Sequence, residues 1–203
     1  MQQTMQFEKT QTFQNLARSF AGESQAGMRY QMTATLAMQE GHKTLSDTIR
    51  TIAKNETYHA RQFFEKILEK AGSQPNIQLD AGYPFHGGSL LDGLKFAAED
   101  EKSEATDIYP AFAKIAKEEG FLDVAALFKL VAEVEKRHRI VFEYLYEGIK
   151  NGTLYKSSDS AMVWICSNCG HMHVGEEAFK ICPLCKAEQG YAELHLPYEG
   201  VKS

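Results

Sequence analysis

Two Glu-x-x-His pairs are the feature that most constrains the fold of this 203-residue chain. Glu56 precedes His59 by three residues, and Glu135 precedes His138 by the same interval, each inside an apolar stripe of helical period. This spacing puts both side chains of a pair on one face of an α-helix. A carboxylate facing the interior of a bundle costs on the order of several kcal/mol unless something compensates its charge.

The apolar pattern predicts four helices, each with an acidic residue at the centre of its seam. The seams, built from steps of three and four residues, run from Phe13 to Ala37, Leu45 to Ile67, Leu90 to Ile115 and Val124 to Ile149. The first helix is expected to start near Thr4. Short joints at Gly41 and Gly120 make the flanking helices antiparallel neighbours, and the loop 72–88 is long enough to cross the bundle.

Pro110 interrupts the third seam, in which Ile108, Ala111 and Ile115 continue the spacing set by Glu101. Because proline removes one helical hydrogen bond, we expect a kink at this position rather than the end of the helix.

The acidic positions fall at about the same height when they are counted from the glycine joints, within roughly one turn. The layer contains Glu23, Glu56, His59, Glu101, Glu104, Glu135 and His138. A pair of cations is the simplest compensation for so many carboxylates, and oxygen-rich ligation with one imidazole per metal suits iron or manganese better than zinc. The predicted fold class is therefore mainly α, a ferritin-like four-helix bundle with a long crossover between helices 2 and 3.

Three polar residues near this layer have less certain roles. Glu104, one turn after Glu101, is a spare carboxylate that suggests a ligand able to move. Tyr30 and Tyr109 lie on the seams and are either core aromatics or hydrogen-bond donors to the ligands.

Asp100 and Glu119 fall off the seams and are expected on solvated faces.

Four cysteines in two Cys-x-x-Cys pairs predict a second metal site. They are Cys166, Cys169, Cys182 and Cys185. Zinc and iron both accept four thiolates, and a structural zinc ribbon is the default for such a segment in isolation, but an adjoining di-iron bundle favours a redox iron. We divide the chain into a bundle (1–150), a polar linker (151–161) and a small metal domain that holds the four cysteines (162–203); the family resemblance described below implies that this domain is a small β, rubredoxin-like fold.

Charge and hydropathy exclude other classes. The net charge of −5 and the pI near 5.8 give no support for a nucleic-acid partner. No apolar stretch approaches about 20 residues, and the N-terminus lacks the pattern of an export signal, so we expect no membrane association and a cytoplasmic location.

These motifs together resemble the rubrerythrin family across nearly the whole chain. The matching stretches are Phe20 to Ala26, Asn55 to Ala60, Glu101 to Pro110, Glu135 to His138 and both cysteine pairs. The resemblance implies a non-haem di-iron peroxidase that reduces hydrogen peroxide to water in oxidative-stress defence. Electrons would come from an NAD(P)H-dependent reductase or rubredoxin through a mononuclear Fe(Cys)4 centre, commonly within a head-to-tail homodimer.

The resemblance also implies a role for each residue of the layer. The carboxylate ligands of the di-iron-oxo centre would be Glu23, Glu56, Glu101 and Glu135. Glu56 and Glu135 would be bridges, and His138 would bind one iron. Glu104 and His59 would alternate at the other iron as the centre is oxidised and reduced.

The resemblance also extends to residues that neighbour the ligands. Tyr30 and Tyr109 match the tyrosines that hydrogen-bond to ligands in the family. Gly27 stands where the family pattern has a larger residue, and we expect looser packing beside Glu23.

Two other functions remain open at this point. A ferritin-like iron storage or ferroxidase protein with a structural zinc ribbon would also need an acidic layer, but it would require a large shell. A binding module whose ribbon recognises a partner would leave the acidic layer unexplained.

Overall fold

The computed structural model describes residues 6–73 and 76–197 and confirms a bundle of four helical members. The helices are α1 (Gln11–Gln39), α2 (Lys43–Lys70), α3 (Leu90–Ser103), α4 (Tyr109–Glu118) and α5 (Leu122–Lys150). A π-helical turn, Glu104–Ile108, joins α3 to α4, and these three segments together form the third member. The predicted start near Thr4 lies outside the described residues, and α1 begins after Thr10, whose side chain accepts a hydrogen bond from the Phe13 N–H.

The two glycine joints close the helical hairpins as the sequence predicted. Gly41 and Gly120 have φ angles of +83° and +90°, in the region that glycine adopts without strain. After α1, the N–H groups of Gly41 and His42 donate to the carbonyls of Met38 and Ala37. The end of α4 has the same pair of bonds, so both helices end in a Schellman motif.

The segment between α2 and α3 is the long crossover that the sequence predicted. Tyr83 fixes it to α1 by donating from its hydroxyl to the Arg18 carbonyl over 2.8 Å. The Arg18 guanidinium donates in turn to the Asp80 carbonyl. Ser89 and Asp92 then form a capping box that starts α3.

The π turn changes which residues of the third member face the core. The Tyr109 N–H donates to the Glu104 carbonyl, five residues earlier, immediately before Pro110. The wider turn shifts the register, so Ile108 and Ala111, both predicted for the seam, are exposed. The buried residues after Glu101 are instead Ala105, Tyr109, Ala113 and Ala116.

The acidic layer divides the core of the bundle into two apolar clusters. One contains Leu16, Phe63 and Phe128, and the other contains Leu45 and Phe142. Phe20, which lies within the first predicted seam, is 39% exposed and packs against Phe64. The layer is therefore enclosed by apolar packing on both sides along the bundle axis.

The cysteine-bearing unit forms a small antiparallel ribbon that packs on the joint between α1 and α2. Strand β1 (Val163–Ile165) pairs with β2 (Met172–Val174). Gly190 lies so close to Gly41 that a Cβ atom at position 190 would be 1.7 Å from the Gly41 carbonyl oxygen. Thr44 donates to the carbonyls of Gly190 and Ala192, over 3.2 and 2.7 Å.

The segment 151–161, predicted as a polar linker, contains two buried residues. Leu154 and Tyr155 belong to the same apolar cluster as Trp164 and Phe142. The small unit and the bundle therefore share a continuous core. Among the residues that the structure describes, no helix combines the length and the apolarity needed to cross a membrane.

Candidate metal centres

The layer predicted from the two Glu-x-x-His pairs is buried in the middle of the bundle. Glu23, Glu56, Glu101 and Glu135 are fully buried, and His138 is 6% exposed. The four glutamates come from α1, α2, α3 and α5, so four helices contribute to one compact volume. His59 is half-buried at its edge.

The side chains of the layer form two overlapping groups of four. Glu23, Glu56, His59 and Glu135 make one group, and Glu56, Glu101, Glu135 and His138 make the other; within each, the ligand atoms lie within 4.8 Å of one another. Glu56 and Glu135 belong to both groups. The structure thus offers two neighbouring cation positions that share two carboxylates.

The two histidines occupy equivalent places in these groups. His59 Nδ1 lies 2.9 Å from Glu135 Oε1, 3.1 Å from Glu56 Oε2 and 3.6 Å from Glu23 Oε2. His138 Nδ1 lies 2.7 Å from Glu135 Oε2, 2.9 Å from Glu56 Oε1 and 3.7 Å from Glu101 Oε2. Each imidazole nitrogen therefore faces one carboxylate of its own group and both shared carboxylates.

Despite these short distances, several of the buried atoms make no contact of hydrogen-bond geometry with any residue in 6–73 or 76–197, and this observation tests whether a metal fits. They are Glu23 Oε2, Glu56 Oε1, Glu101 Oε2, both Glu135 oxygens and His138 Nδ1. Orphaned polar atoms in a core are rare and costly, and here they converge from four helices. A donor set of carboxylates and one imidazole per position fits two iron ions.

Two tyrosines fix the outer carboxylates from the opposite hairpin. The Tyr30 hydroxyl on α1 donates to Glu101 Oε1 on α3 over 2.6 Å. The Tyr109 hydroxyl on α4 donates to Glu23 Oε1 on α1. Each bond uses one oxygen of the carboxylate and leaves the other, unpartnered oxygen directed at a histidine.

Gly27 brings α1 and α2 close together beside the layer. A Cβ atom at this position would lie 3.1 Å from the Ala53 carbonyl oxygen and 3.5 Å from Glu56 Cβ. The expectation of looser packing at Gly27 is therefore wrong. The space that a side chain would occupy at this position is filled by the backbone of α2.

Glu104 belongs to neither group of four. It starts the π turn, is partly exposed, and lines a cleft on the outer side of the bundle. The structure therefore places His59, and not Glu104, among the converging atoms.

Without metal, the layer depends on shared protons. Burial raises the pKa of Glu23 and Glu101 well above the usual range. Burial opposes the charging of His59, yet its contacts with Glu135, Glu23 and Glu56 raise its pKa to about 12. Burial likewise opposes the ionisation of Glu56, but the nearby imidazoles of His138 and His59 lower its pKa to about 2.

The metal-free protein is expected to lose stability as the pH rises from 5 to 8. Folded Glu23, Glu101 and His59 hold protons that the unfolded chain releases, at pKa values of about 4.3 for Glu and about 6.5 for His. Their contributions to the free energy of unfolding are present below those pKa values and are lost as the pH rises above them. Glu56, whose pKa is lowered, would make the protein more stable with rising pH, but only below its unfolded pKa of about 4.3. Each extra bound proton lowers the free energy of unfolding by about 1.4 kcal/mol per pH unit, or roughly 3 °C in Tm.

Thermal unfolding of chelated and iron-loaded protein at pH 5 and pH 8 measures this dependence. The Tm of the iron-loaded protein should change less between pH 5 and pH 8, because cations replace the protons that the side chains share in the chelated protein. A Tm of the chelated protein that stays constant or rises with pH would contradict the expectation.

The four cysteines converge in the small unit as their spacing predicted. Their sulfur atoms lie within 4.8 Å of one another, with Cys166 Sγ 3.7 Å from Cys185 Sγ and Cys169 Sγ 3.6 Å from Cys182 Sγ. Hydrogen bonds from the Asn168 side chain and the Ala187 N–H lower the pKa of Cys185 to about 6. The thiolate form, which binds metals, is thereby favoured at Cys185. At Cys169, the backbone hydrogen bond from His171 is outweighed by burial and the neighbouring sulfur atoms, which raise its pKa to about 12.

Sequence reasoning missed two acidic residues with structural roles. Glu119 accepts hydrogen bonds from the N–H groups of Gln11 and Thr12 and so caps the start of α1 from the far end of α4. Asp100 forms a 2.7 Å ion pair with Arg29 beside the layer. Both were expected on solvated faces, and no local pattern marks their partners, which lie 71 or more residues away in the sequence.

Comparison with known families agrees with this geometry. The family profile described as Rubrerythrin matches residues 14–86 and 92–161, and the profile described as Rubrerythrin, rubredoxin-like domain matches residues 164–191. The chain is similar to rubrerythrin of Clostridium perfringens, with 39% identity over 91% of this chain and 94% of the relative. It is 34% identical to rubrerythrin of Nitratidesulfovibrio vulgaris over 91% of this chain and 94% of that protein.

Solved structures support the same fold. A mixed-valence structure of nigerythrin aligns with a TM-score of 0.60 at 22% identity, covering 96% of this chain and 94% of its own. A structure of Desulfovibrio desulfuricans bacterioferritin, described by its di-iron site in different catalytic states, aligns with a TM-score of 0.61 at 26% identity. That alignment covers 69% of this chain and 80% of the bacterioferritin.

Proposed function

Because the chain belongs to the rubrerythrin family, we propose that it is a non-haem di-iron peroxidase that reduces hydrogen peroxide to water. The observation that carries the proposal is the pair of cation positions that share Glu56 and Glu135. Reduction of hydrogen peroxide consumes two electrons and two protons and yields two water molecules. Two adjacent iron ions, when bound, supply both electrons.

The geometry suggests which residues would hold the irons. Glu56 and Glu135 would bridge them, because each contributes to both groups of four. Glu23 and His59 would complete one position, and Glu101 with His138 would complete the other.

The two tyrosines would keep the outer carboxylates oriented. Burial and the nearby carboxylates raise the pKa of Tyr30 and of Tyr109 well above the usual range, so both hydroxyls stay protonated and remain donors. Their hydrogen bonds fix one oxygen of Glu101 and one of Glu23, which directs the free oxygen of each toward its metal position.

We further propose that His59 and Glu104 alternate as ligands of one iron. His59 Nδ1 lies within 3.6 Å of three carboxylates, whereas Glu104 is one turn from Glu101 and directed to the cleft. His59 is half-buried, and Glu104 is partly exposed at the start of the π turn, so each side chain lies at the edge of the layer, from which it could approach the metal position they would share.

Electrons would reach the bundle from an NAD(P)H-dependent reductase chain or rubredoxin through iron bound by the four cysteines. The small unit contacts the bundle at Thr44, twelve residues before Glu56, which is about 18 Å along α2. This separation within one chain favours a head-to-tail homodimer in which the Fe(Cys)4 centre of one subunit serves the bundle of the other. We propose a cytoplasmic role in oxidative-stress defence.

The direct test is the reoxidation of the anaerobically reduced protein in a stopped-flow spectrophotometer. Hydrogen peroxide should restore the absorbance of the oxidised di-iron centre rapidly, with one peroxide consumed per centre, and dioxygen should do so slowly. A reduced protein that does not react with peroxide would rule out the proposal.

Iron storage is the second candidate, because the bundle also aligns with bacterioferritin. Iron storage requires a shell of many subunits, and in this reading the cysteine unit would act as a structural zinc ribbon. Size-exclusion chromatography with metal analysis separates the two functions, since a dimer with iron at both sites favours the peroxidase.

A further inference from the structure

A cleft of about 420 Å³ opens beside the candidate di-iron site, between α1, the π turn and the crossover loop. Its walls include Gly22, Tyr83, Pro84, Ile108, Phe112 and Glu104. Tyr109, which donates to Glu23, also lines it. The cleft therefore reaches from the surface to Glu104 of the acidic layer and to Tyr109, the hydrogen-bond partner of Glu23.

The cleft is far larger than hydrogen peroxide requires. A water molecule takes up about 30 Å³ in the liquid, and hydrogen peroxide has only one oxygen atom more. Sites for small organic ligands occupy about 300–1,000 Å³ and are lined mainly by apolar side chains. The volume and the aromatic and aliphatic walls of this cleft fall in that class.

The charges of the cleft favour a neutral occupant. Arg29 is paired with Asp100, and Arg18 donates to the Asp80 carbonyl and to Asn15 Oδ1. The Arg29 charge is compensated by Asp100, and Arg18 already donates to neutral oxygens, so neither guanidinium group is available to an anionic ligand.

Ser19 offers a free polar group in this apolar setting. It lines the cleft and is 4% exposed, and its hydroxyl has no hydrogen-bond partner among the described residues. An unpartnered buried hydroxyl is costly unless a bound molecule satisfies it.

We infer that this cleft binds the organic group of small neutral alkyl or aryl hydroperoxides and that the protein reduces them as well as hydrogen peroxide. The inference rests on the proposed peroxidase function. The alkyl or aryl group lies between Pro84, Ile108 and Phe112, and the hydroperoxide group points to Glu104. The O–O bond breaks, the reduced di-iron centre supplies two electrons, and two protons complete one alcohol and one water molecule.

Cumene hydroperoxide and hydrogen peroxide are compared on the same reduced, iron-loaded protein. Both should reoxidise it with one peroxide consumed per centre, and cumene hydroperoxide should give 2-phenyl-2-propanol. If hydrogen peroxide reacts and cumene hydroperoxide does not, the inference is overturned while the proposed function stands. If neither reacts, the proposed function fails as well.

Two substitutions narrow the cleft from opposite walls. A Cβ atom at Gly22 would lie 3.6 Å from the Tyr83 ring, an ordinary contact, so Gly22→Leu directs the rest of its side chain into the cleft. Ile108→Phe narrows the other wall and is a second choice should the first variant fold poorly. Each should lower the rate with cumene hydroperoxide at least tenfold more than the rate with hydrogen peroxide.

Gln31→Leu is the matched control, because it adds a leucine at an exposed position of α1 that does not line the cleft. It should leave the ratio of the two rates unchanged. Equal effects of the narrowing variants on both peroxides would contradict the assignment of the cleft.

Equilibrium binding gives a readout that does not depend on turnover. Calorimetric titration of the oxidised, iron-loaded protein with 2-phenyl-2-propanol should show one site per chain, and Gly22→Leu should weaken that binding at least tenfold. Absence of binding to the unsubstituted protein, or equal binding to the Gly22→Leu variant, would overturn the inference.

Discussion

Glu135→Ala is expected to empty both metal positions of the bundle and to lower the rate of oxidation by peroxide at least about 100-fold. Glu135 contributes to both groups of four, and its two oxygens lie 2.9 Å from His59 Nδ1 and 2.7 Å from His138 Nδ1. Loss of a residue that merely orients a ligand commonly costs about 10–100-fold in metal affinity or activity. Loss of a carboxylate shared by both positions should cost more.

Metal analysis measures this effect, with the iron held by the four cysteines serving as the internal reference for the iron content of the bundle. The bundle should fall from about two iron ions per chain to fewer than one, while the four cysteines keep theirs. Glu133→Ala, an exposed position two residues earlier on the same helix, is the control and should retain the full iron content. Two iron ions still held by the bundle of Glu135→Ala would refute the shared-ligand assignment.

The same variant should also destabilise the metal-free protein. Glu135 is fully buried, and its two oxygens lie 2.9 Å from His59 Nδ1 and 2.7 Å from His138 Nδ1. Removing a carboxylate that faces two buried imidazoles leaves them without their partner, so chelated Glu135→Ala should unfold at a lower temperature than the chelated parent. An unchanged or higher unfolding temperature of the chelated variant would contradict this expectation.

Cys182→Ser is expected to abolish turnover with an electron donor and to spare a single oxidation of the pre-reduced bundle. Cys182 is fully buried, with its sulfur 3.6 Å from that of Cys169. A serine oxygen is a poor ligand for this thiolate site, so the variant should lose the visible absorbance of the cysteine-bound iron. The bundle keeps its own iron and can still give up its two electrons once.

The cysteine unit and the bundle share a hydrophobic core, which affects how the result for Cys182→Ser is interpreted. Trp164 and Phe179 pack in the same cluster as Phe142 of α5, so a badly disrupted cysteine unit would also disturb the bundle. Loss of the single oxidation together with turnover would therefore mean that the unit is structural. Full donor-linked turnover in Cys182→Ser would remove the cysteine site from the electron route. Glu176→Gln, at an exposed position in the same cysteine unit, should behave like the parent.

The sequence predicted most of the fold because its signals are local. Helical spacing and two glycines with left-handed backbones specify the hairpins, and these are properties of neighbouring residues. The cysteine pairs likewise bring their sulfur atoms together through two short turns. The rubrerythrin resemblance and the ferritin-like fold are confirmed by the family and structural comparisons.

The errors arose where one element depends on another. The π turn before Pro110 moved Ile108 and Ala111 out of the core, because one wider turn shifts every later residue of the third member. Gly27 was expected to loosen the bundle, yet it admits the Ala53 carbonyl. The cap that Glu119 provides for α1 joins residues 107 positions apart, which no spacing rule reveals.

The sequence by itself determined the chemical inventory: two Glu-x-x-His pairs, further glutamates at matching heights, and four thiols in two pairs. Periodicity and spacing express which groups share a helix face, so they suffice for this inventory. Only the tertiary structure decided that Glu56 and Glu135 belong to both groups and that each tyrosine serves the opposite hairpin. It also showed that His59 belongs to one group of converging ligand atoms and that Glu104 lines the cleft. These relations depend on distances between helices, which are set by how the side chains of different helices pack together.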